Sequence, residues 1–235
     1  MRALLKKIAN PFIVQHCLLC DFTAENKQLI CTDCFSTLPR HPFSCDRCGL
    51  TITETPFKTH CGHCMKNPPP FDHTVALFDY VVPIPTLIWK LKFHGDLSIA
   101  QFFGQCWINL IDQFYTRNTL PDFILPVPLH HKRLKERGFN QALEIAKPIG
   151  KHFKIPINTR ICIRIKNTQA QSSLPANKRK NNMNNAFGLS YATDAKHVAI
   201  LDDVMTTGNT ASEISALLKI AGVERIDVWC CARAQ

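Results

Sequence analysis

Apolar and polar positions change their rhythm along this chain, and the changes divide it into elements. Val198 to Leu201 is a short unbroken apolar run closed by two carboxylates, Asp202 and Asp203, the pattern of a parallel strand buried on both faces. After a turn rich in small residues, Ile214, Leu217, Leu218 and Ala221 recur at i, i+3, i+4, i+7 before Gly222, which predicts a helix, and Thr210 and Glu213 have capping-box spacing at its start. Ala100, Phe103, Gly104, Trp107, Ile108 and Ile111 repeat at helical spacing and predict a largely buried helix. Val75 to Val82 reads as a strand, Pro85 to Phe93 as a short helix, His130 to Arg137 as a basic loop, and Asn140 onward as a helix. With strands expected near 122–127, 161–165, 197–202 and 226–231, strands and helices alternate. The fold class is α/β with a mostly parallel sheet.

Residues 1–66 are organised by cysteine instead. Cys17 and Cys20, Cys31 and Cys34, Cys45 and Cys48, Cys61 and Cys64 form four CxxC pairs, with ten residues inside the first pair of motifs and twelve inside the second. Each CxxC can place two thiolates on one metal, so consecutive pairing predicts two zinc sites of four thiolates, a double zinc ribbon. Thiol redox chemistry and disulfides are the rivals, and His60 or His63 could replace a thiol in the second site. With so few apolar residues, this module would draw its folding free energy from the metal. Asn67 to Pro70 reads as a stiff linker, dividing the chain into a ribbon module at 1–66 and an α/β domain at 67–235. Cys106, Cys162, Cys230 and Cys231 read as small buried hydrophobes.

The strand ending in Asp202 and Asp203 carries the most specific chemistry. Backbone N–H groups of Thr206 to Thr210 would face an anion at a helix N-terminus, with threonine hydroxyls as further donors. Two carboxylates beside that loop cannot face a phosphate, but they can accept hydrogen bonds from the vicinal hydroxyls of a ribose. Phosphate plus diol means ribose 5-phosphate. A P-loop is excluded, because GxxxxGK[ST] is absent and Asn209 follows Gly208. The competing reading is an ordinary strand-turn-helix corner.

Composition narrows the setting. The chain has 235 residues, 46% hydrophobic and 20% charged, with net charge +10. Residues 130–180 hold 13 Lys and Arg against Glu136 and Glu144, leaving the rest near neutral and favouring polyanionic partners. No apolar stretch reaches the ~18 residues of a membrane span, and no signal peptide is evident, so no membrane insertion and a cytoplasmic location are expected.

VAILDDVMTTGNT resembles the ribose-5-phosphate loop of type I phosphoribosyltransferases, which use phosphoribosyl pyrophosphate (PRPP). The resemblance implies that Asp202 and Asp203 support the ribose, and that Met205, Thr206, Thr207, Gly208, Asn209 and Thr210 bind PRPP. It further implies that Lys132, Arg133 and Arg137, after the first core strand, grip the pyrophosphate, with Mg2+ accompanying PRPP; Asp202, Asp203 and Arg137 are the implied catalytic set. RGFNQ at 137–141, LKFHGD at 91–96, the series Arg164, Thr168, Gln171, Arg179, Asn182, Phe187, and the cysteine-rich front resemble the ComF family, which has GntX-like relatives. Met205 and Asn209 are mild departures beside TTG. That resemblance implies handling of imported single-stranded DNA in natural transformation, together with other DNA-uptake proteins. Lys178, Arg179 and Lys180, in a polar segment expected to act as a flap, are the candidate DNA contacts. The alternative is an active phosphoribosyltransferase acting on a nitrogenous acceptor. A PRPP-sensing regulator lacks a visible helix-turn-helix.

Overall fold

The computed structural model describes residues 16–24, 28–40, 43–52, 59–115, 119–166 and 186–235. Lys178, Arg179 and Lys180, with Thr168, Gln171 and Asn182, lie outside them. The chain divides into two compact units, Met1–Leu38 and Pro39–Gln235, so the second cysteine cluster shares a unit with the sheet.

In the larger unit, β1 (His73–Asp79), β2 (Phe123–Pro126), β5 (His197–Met205) and β6 (Arg225–Arg233) form one sheet in the order β1-β6-β5-β2, parallel throughout. Val198 to Leu201 are completely buried, as an apolar run covered on both faces requires. Alternate residues face opposite ways. Phe123, Leu125, Val198, Ile200, Ile226 and Val228 pack with Ala211, Ile214 and Leu218 of the helix Asn209–Ile220. On the other face, Trp229 stacks on Trp107 of α4 (Leu97–Phe114), with ring centroids 5.3 Å apart. α4 packs against α6 (Gln141–Phe153) so closely that a Cβ at Gly104 would stand 2.2 Å from the Pro148 ring.

Four expectations are corrected. The strand near 161–165 is outside the main sheet: β3 (Cys162–Arg164) pairs antiparallel with β4 (Phe187–Leu189) in a separate two-stranded sheet, where Glu213 of the helix Asn209–Ile220 fixes the start of β4. The basic segment is a short helix, α5 (His131–Arg137), not a loop. His130 caps it by accepting from the Lys132 N–H, and Gly138 ends it in the left-handed conformation at φ 82°. β5 runs three residues past Asp202, because Val204 and Met205 still pair with Ala232 and Arg233. The capping box does not form: Gly208 caps α7 (Asn209–Ile220), and Glu213 instead accepts from the Ala186 and Phe187 N–H groups, fixing the start of β4.

The cysteines outside the motifs behave as expected of hydrophobes. Cys162, Cys230 and Cys231 are buried, and burial pushes the thiols of Cys106, Cys162 and Cys230 up to about 12.

Candidate functional site

A parallel sheet puts every strand's carboxyl end on one edge, where open α/β folds bind ligands. At that edge β5 presents Asp202 and Asp203, β2 leads through Val127 into α5, and the Thr206–Asn209 turn leads into α7. Asp203 is 3% exposed and pairs with the Lys92 ammonium at 2.6 Å. Burial, reinforced by the adjacent Asp203 charge and opposed by Lys92, raises the Asp202 carboxyl to about 8. Burial beside a second carboxylate thus favours the protonated form of Asp202, a balance that a cationic or hydroxyl-bearing ligand would change.

Two motifs that are remote in sequence build the wall around these carboxylates. In LKFHGD, Leu91 is fully buried and Lys92 reaches Asp203 from a π-helical turn, Lys90–His94, that follows α3 (Ile84–Trp89). Gly95 turns the chain at φ 67°, and Asp96 caps α4 by accepting from Ser98 N–H. In RGFNQ, the Arg137 guanidinium lies over the Phe93 ring at 5.7 Å and donates to Gln141. Asn140 caps α6 and also donates to the Val127 carbonyl at 3.0 Å, tying α6 to the exit of β2. A groove of about 570 Å3 lined by Lys92, Phe93, Arg133, Arg137 and Phe139 opens there, within the size range of small-molecule sites.

Cations crowd this edge. Burial and then the Arg133 charge lower the proton affinity of Arg164, and Arg137 is lowered by burial and by Arg133 while Asp203 offsets them. Arginines that repel one another favour an anion between them. A second cleft, lined by Asp202, Met205, Thr206, Gly208, Asn209 and Thr210, marks the turn itself. Gly208 has φ +79°, and a Cβ there would stand 2.8 Å from the Met205 Cε, so the turn requires glycine.

Of the residues singled out from sequence, Asp202, Asp203, Met205 to Thr210, Arg133 and Arg137 come together at one edge. Lys132 is exposed on α5 and does not line the groove. Lys92 and Arg164 were given no ligand role from sequence. Only their motif membership could have raised them, since nothing local pairs residue 92 with residue 203.

The cysteines assemble as expected. The thiols of Cys17, Cys20, Cys31 and Cys34 gather within 4.8 Å of one another, as do those of Cys45, Cys48, Cys61 and Cys64. A zinc ion bonded to four sulfurs at ~2.3 Å requires S···S edges of roughly 3.8 Å. Cys20 to Cys31 is 3.8 Å and Cys48 to Cys61 is 3.7 Å, so both clusters fit the ion.

A family model for the double zinc ribbon domain matches residues 10–65. Competence protein F of Haemophilus influenzae is 36% identical over 213 residues, covering 88% of this chain and 92% of that protein. The chain belongs to the competence protein F (ComF) family. Other relatives are DNA utilization protein YhgH of Escherichia coli K12, 35% identical over 87% of this chain and 90% of its own, and competence protein ComFC of Streptococcus pneumoniae, 24% identical over 92% and 99%. A purine phosphoribosyltransferase from Pyrococcus horikoshii Ot3 superposes with TM-score 0.32 at 15% identity, covering 57% of this chain and 71% of that one. In this ComF member, LKFHGD and RGFNQ are therefore parts of one site: the first supplies the cation of Asp203 and the second holds Arg137 beside it. Among the described residues no helix is long and apolar enough to cross a membrane.

Proposed function

We propose that this ComF-family chain binds PRPP or ribose 5-phosphate at the carboxyl edge of its sheet and handles imported single-stranded DNA in the cytoplasm during natural transformation. The observation that carries the ligand reading is the meeting of opposite chemistries at one edge: two adjacent carboxylates, of which Asp203 pairs with Lys92, a Thr-Gly turn into a helix, and mutually repelling arginines. The backbone N–H groups of Thr206 to Thr210 hold the 5-phosphate. Asp202 accepts from the ribose hydroxyls, while Asp203 is engaged by Lys92 and positions it toward the anion. Arg133 and Arg137 take the pyrophosphate, with Lys132 at the outer rim. Asp203 already has a cation in Lys92, so Asp202 is the carboxylate left for Mg2+, which when bound would neutralise part of the pyrophosphate charge.

The DNA reading rests on the names of the relatives and on the basic block at 130–180, of which Lys178, Arg179 and Lys180 are the proposed contacts. Calorimetric titration of PRPP tests the first half, and an unmoved baseline would sink it. Single-stranded oligonucleotides of increasing length at ~150 mM salt test the second half. Neutralising Lys178, Arg179 and Lys180 should flatten the salt dependence and leave PRPP affinity intact. The double ribbon presents a surface for DNA or other uptake proteins, and elemental analysis should find about two zinc ions per chain.

The groove between Phe93, Phe139 and Arg137 favours a second reading, phosphoribosyl transfer, since it leaves room for an acceptor next to the pyrophosphate residues. Release of pyrophosphate in the presence of a panel of nitrogenous acceptors would detect it.

A further inference from the structure

Arg233, the last residue of β6, is 3% exposed, yet it carries a guanidinium. Such a group is retained in an interior only when its N–H donors are matched. Here the match spans two functional regions. Nε donates to the Cys48 carbonyl at 2.7 Å, and Nη1 donates to the carbonyls of Met205 at 3.1 Å, Thr206 and Ala234. Cys48 is a thiolate position of the second cluster, and Met205 and Thr206 open the turn that leads to Thr210.

The rest of the Cys45–Cys48 knuckle is held as firmly. Thr74 on β1 donates its N–H to the Asp46 carbonyl at 2.8 Å and its hydroxyl to the Arg47 carbonyl at 2.6 Å. Three successive knuckle carbonyls are thus bound by groups on the sheet. Gly49 follows at φ +68°, where an added Cβ would approach the Thr74 methyl at 3.0 Å. At the end of the chain, Gln235 donates to Thr51 Oγ1 at 2.6 Å and to Asp79 at 2.8 Å. The knuckle cannot shift without moving Arg233, and Arg233 cannot move without releasing the carbonyls that shape the turn.

We propose that Arg233 is a positioning residue that couples metal occupancy of the Cys45, Cys48, Cys61, Cys64 cluster to anion binding at the Thr206–Thr210 turn. When the metal holds Cys48, its carbonyl is fixed and the guanidinium is presented to Met205 and Thr206, so the turn keeps its N–H groups convergent. When the metal leaves, the knuckle loses its organising ion and the turn loses an anchor. Linkage makes the effect reciprocal: an anion that binds the organised turn tightens the metal by the same factor. This rests on the reading of residues 206–210 as the phosphate turn.

The test is zinc release from the full chain to a chromogenic chelator, with and without saturating PRPP. Two release phases are expected, and PRPP should slow one of them and raise the equilibrium zinc affinity of that site by roughly 5- to 100-fold, the usual span of allosteric coupling. Cys20→Ser, which disables the first cluster, should leave the PRPP-sensitive phase, and Cys45→Ser should remove it. Arg233→Lys keeps the charge but cannot reach both carbonyl sets with one ammonium, so both zincs should bind while PRPP no longer slows either. Hydrogen exchange provides a readout in the unmutated protein: withdrawing the second zinc should deprotect amides 204–211. PRPP binding with unchanged zinc release, or amides 204–211 unaffected by zinc withdrawal, would overturn the coupling alone. If PRPP gave no calorimetric signal with the zinc-loaded protein, the phosphate reading would fall, and the coupling with it.

Discussion

The two ends of β5 and β6 each bury carboxylates, and they treat them in opposite ways. At the amino end Asp227 is completely buried and surrounded by donors: His197 Nε2 and Tyr115 OH at 2.9 Å, and Arg225 at 3.0 and 3.1 Å. Burial alone would raise its carboxyl, but the His197 hydrogen bond and the Arg225 guanidinium outweigh burial and hold it below the ordinary value. At the carboxyl end Asp202 has a like charge beside it, and burial raises it to about 8. A carboxylate with every partner in place stabilises the fold. One whose carboxyl is raised by burial and a like neighbour at the proposed ligand edge is a candidate binding group, and its cost is borne by the rest of the fold.

The largest effect should come from breaking the satisfied end. Asp227→Asn removes the charge that Arg225 and His197 converge on and should cost about 3 kcal/mol, measured as a lower urea midpoint. PRPP affinity of the folded fraction should stay within twofold, since the substitution is at the opposite end of the strands. A loss below ~1 kcal/mol would mean that the network is replaceable by water.

Asp202→Asn sharpens the contrast by going the other way. A carboxyl whose folded value is about 8, above its unfolded value near 4, binds its proton more tightly when folded. Its contribution is therefore full below pH ~4 and is lost as the pH climbs toward 8. Asp227 has the opposite sign: its stabilisation is present above the unfolded value and disappears as the pH falls through its depressed folded value. Asp203, Lys92 and Arg164 are the charged groups that act on Asp202. Asp202→Asn should raise Tm at pH 8 by roughly 2–5 °C, flatten the decline between pH 5 and 8, and weaken PRPP at least ~10-fold. Tm against pH for both proteins checks it, and equal slopes would assign the neutral-range decline to another group.

These two ends were unequally legible in the sequence. The proposed ligand edge was readable because its parts are consecutive: an apolar run, DD, TTG and a helix are read within VAILDDVMTTGNT. The cysteine clusters were legible for a related reason, since CxxC spacing is a local consequence of metal geometry. What escaped is held together across the chain. Lys92 meets Asp203 and Arg233 meets Cys48 through folding alone. β3 was placed in the main sheet because a strand of three residues, Cys162–Arg164, does not encode its partner, which is the antiparallel β4. Six polar and basic residues around Leu134 hid α5 from any apolar periodicity, and its capping by His130 and Gly138 compensates. Glu213 had the spacing of a cap but found backbone donors at Ala186 and Phe187 instead.

An intermediate effect tests the turn without touching a charge. Gly208→Ala forces an L side chain to φ +79°, with its Cβ 2.8 Å from Met205 Cε. The methionine can swing aside, so the backbone conformation dominates, costing about 1–2 kcal/mol. PRPP affinity should fall further than stability does, because a turn that relaxes its φ no longer converges its N–H groups. Calorimetry beside urea unfolding separates the two, and unchanged affinity with lowered stability would remove the turn from the binding site.

The smallest effect belongs to Lys132, and it tests how far the anion receptor extends. This lysine is exposed on α5 and lies outside the groove that Arg133 and Arg137 line, so Lys132→Gln should leave stability within ~0.5 kcal/mol. A solvated charge at the rim acts through screened Coulomb attraction, which at ~150 mM salt fades over roughly 8 Å. PRPP affinity should therefore drop only about twofold, and the drop should vanish by ~0.5 M salt. If Lys132 contacts a DNA phosphate, the log-log salt slope for single-stranded DNA should become shallower by roughly 0.7. A loss of PRPP affinity as large as that of Arg137→Gln, persisting at high salt, would place Lys132 inside the receptor and extend the ligand edge outward along α5.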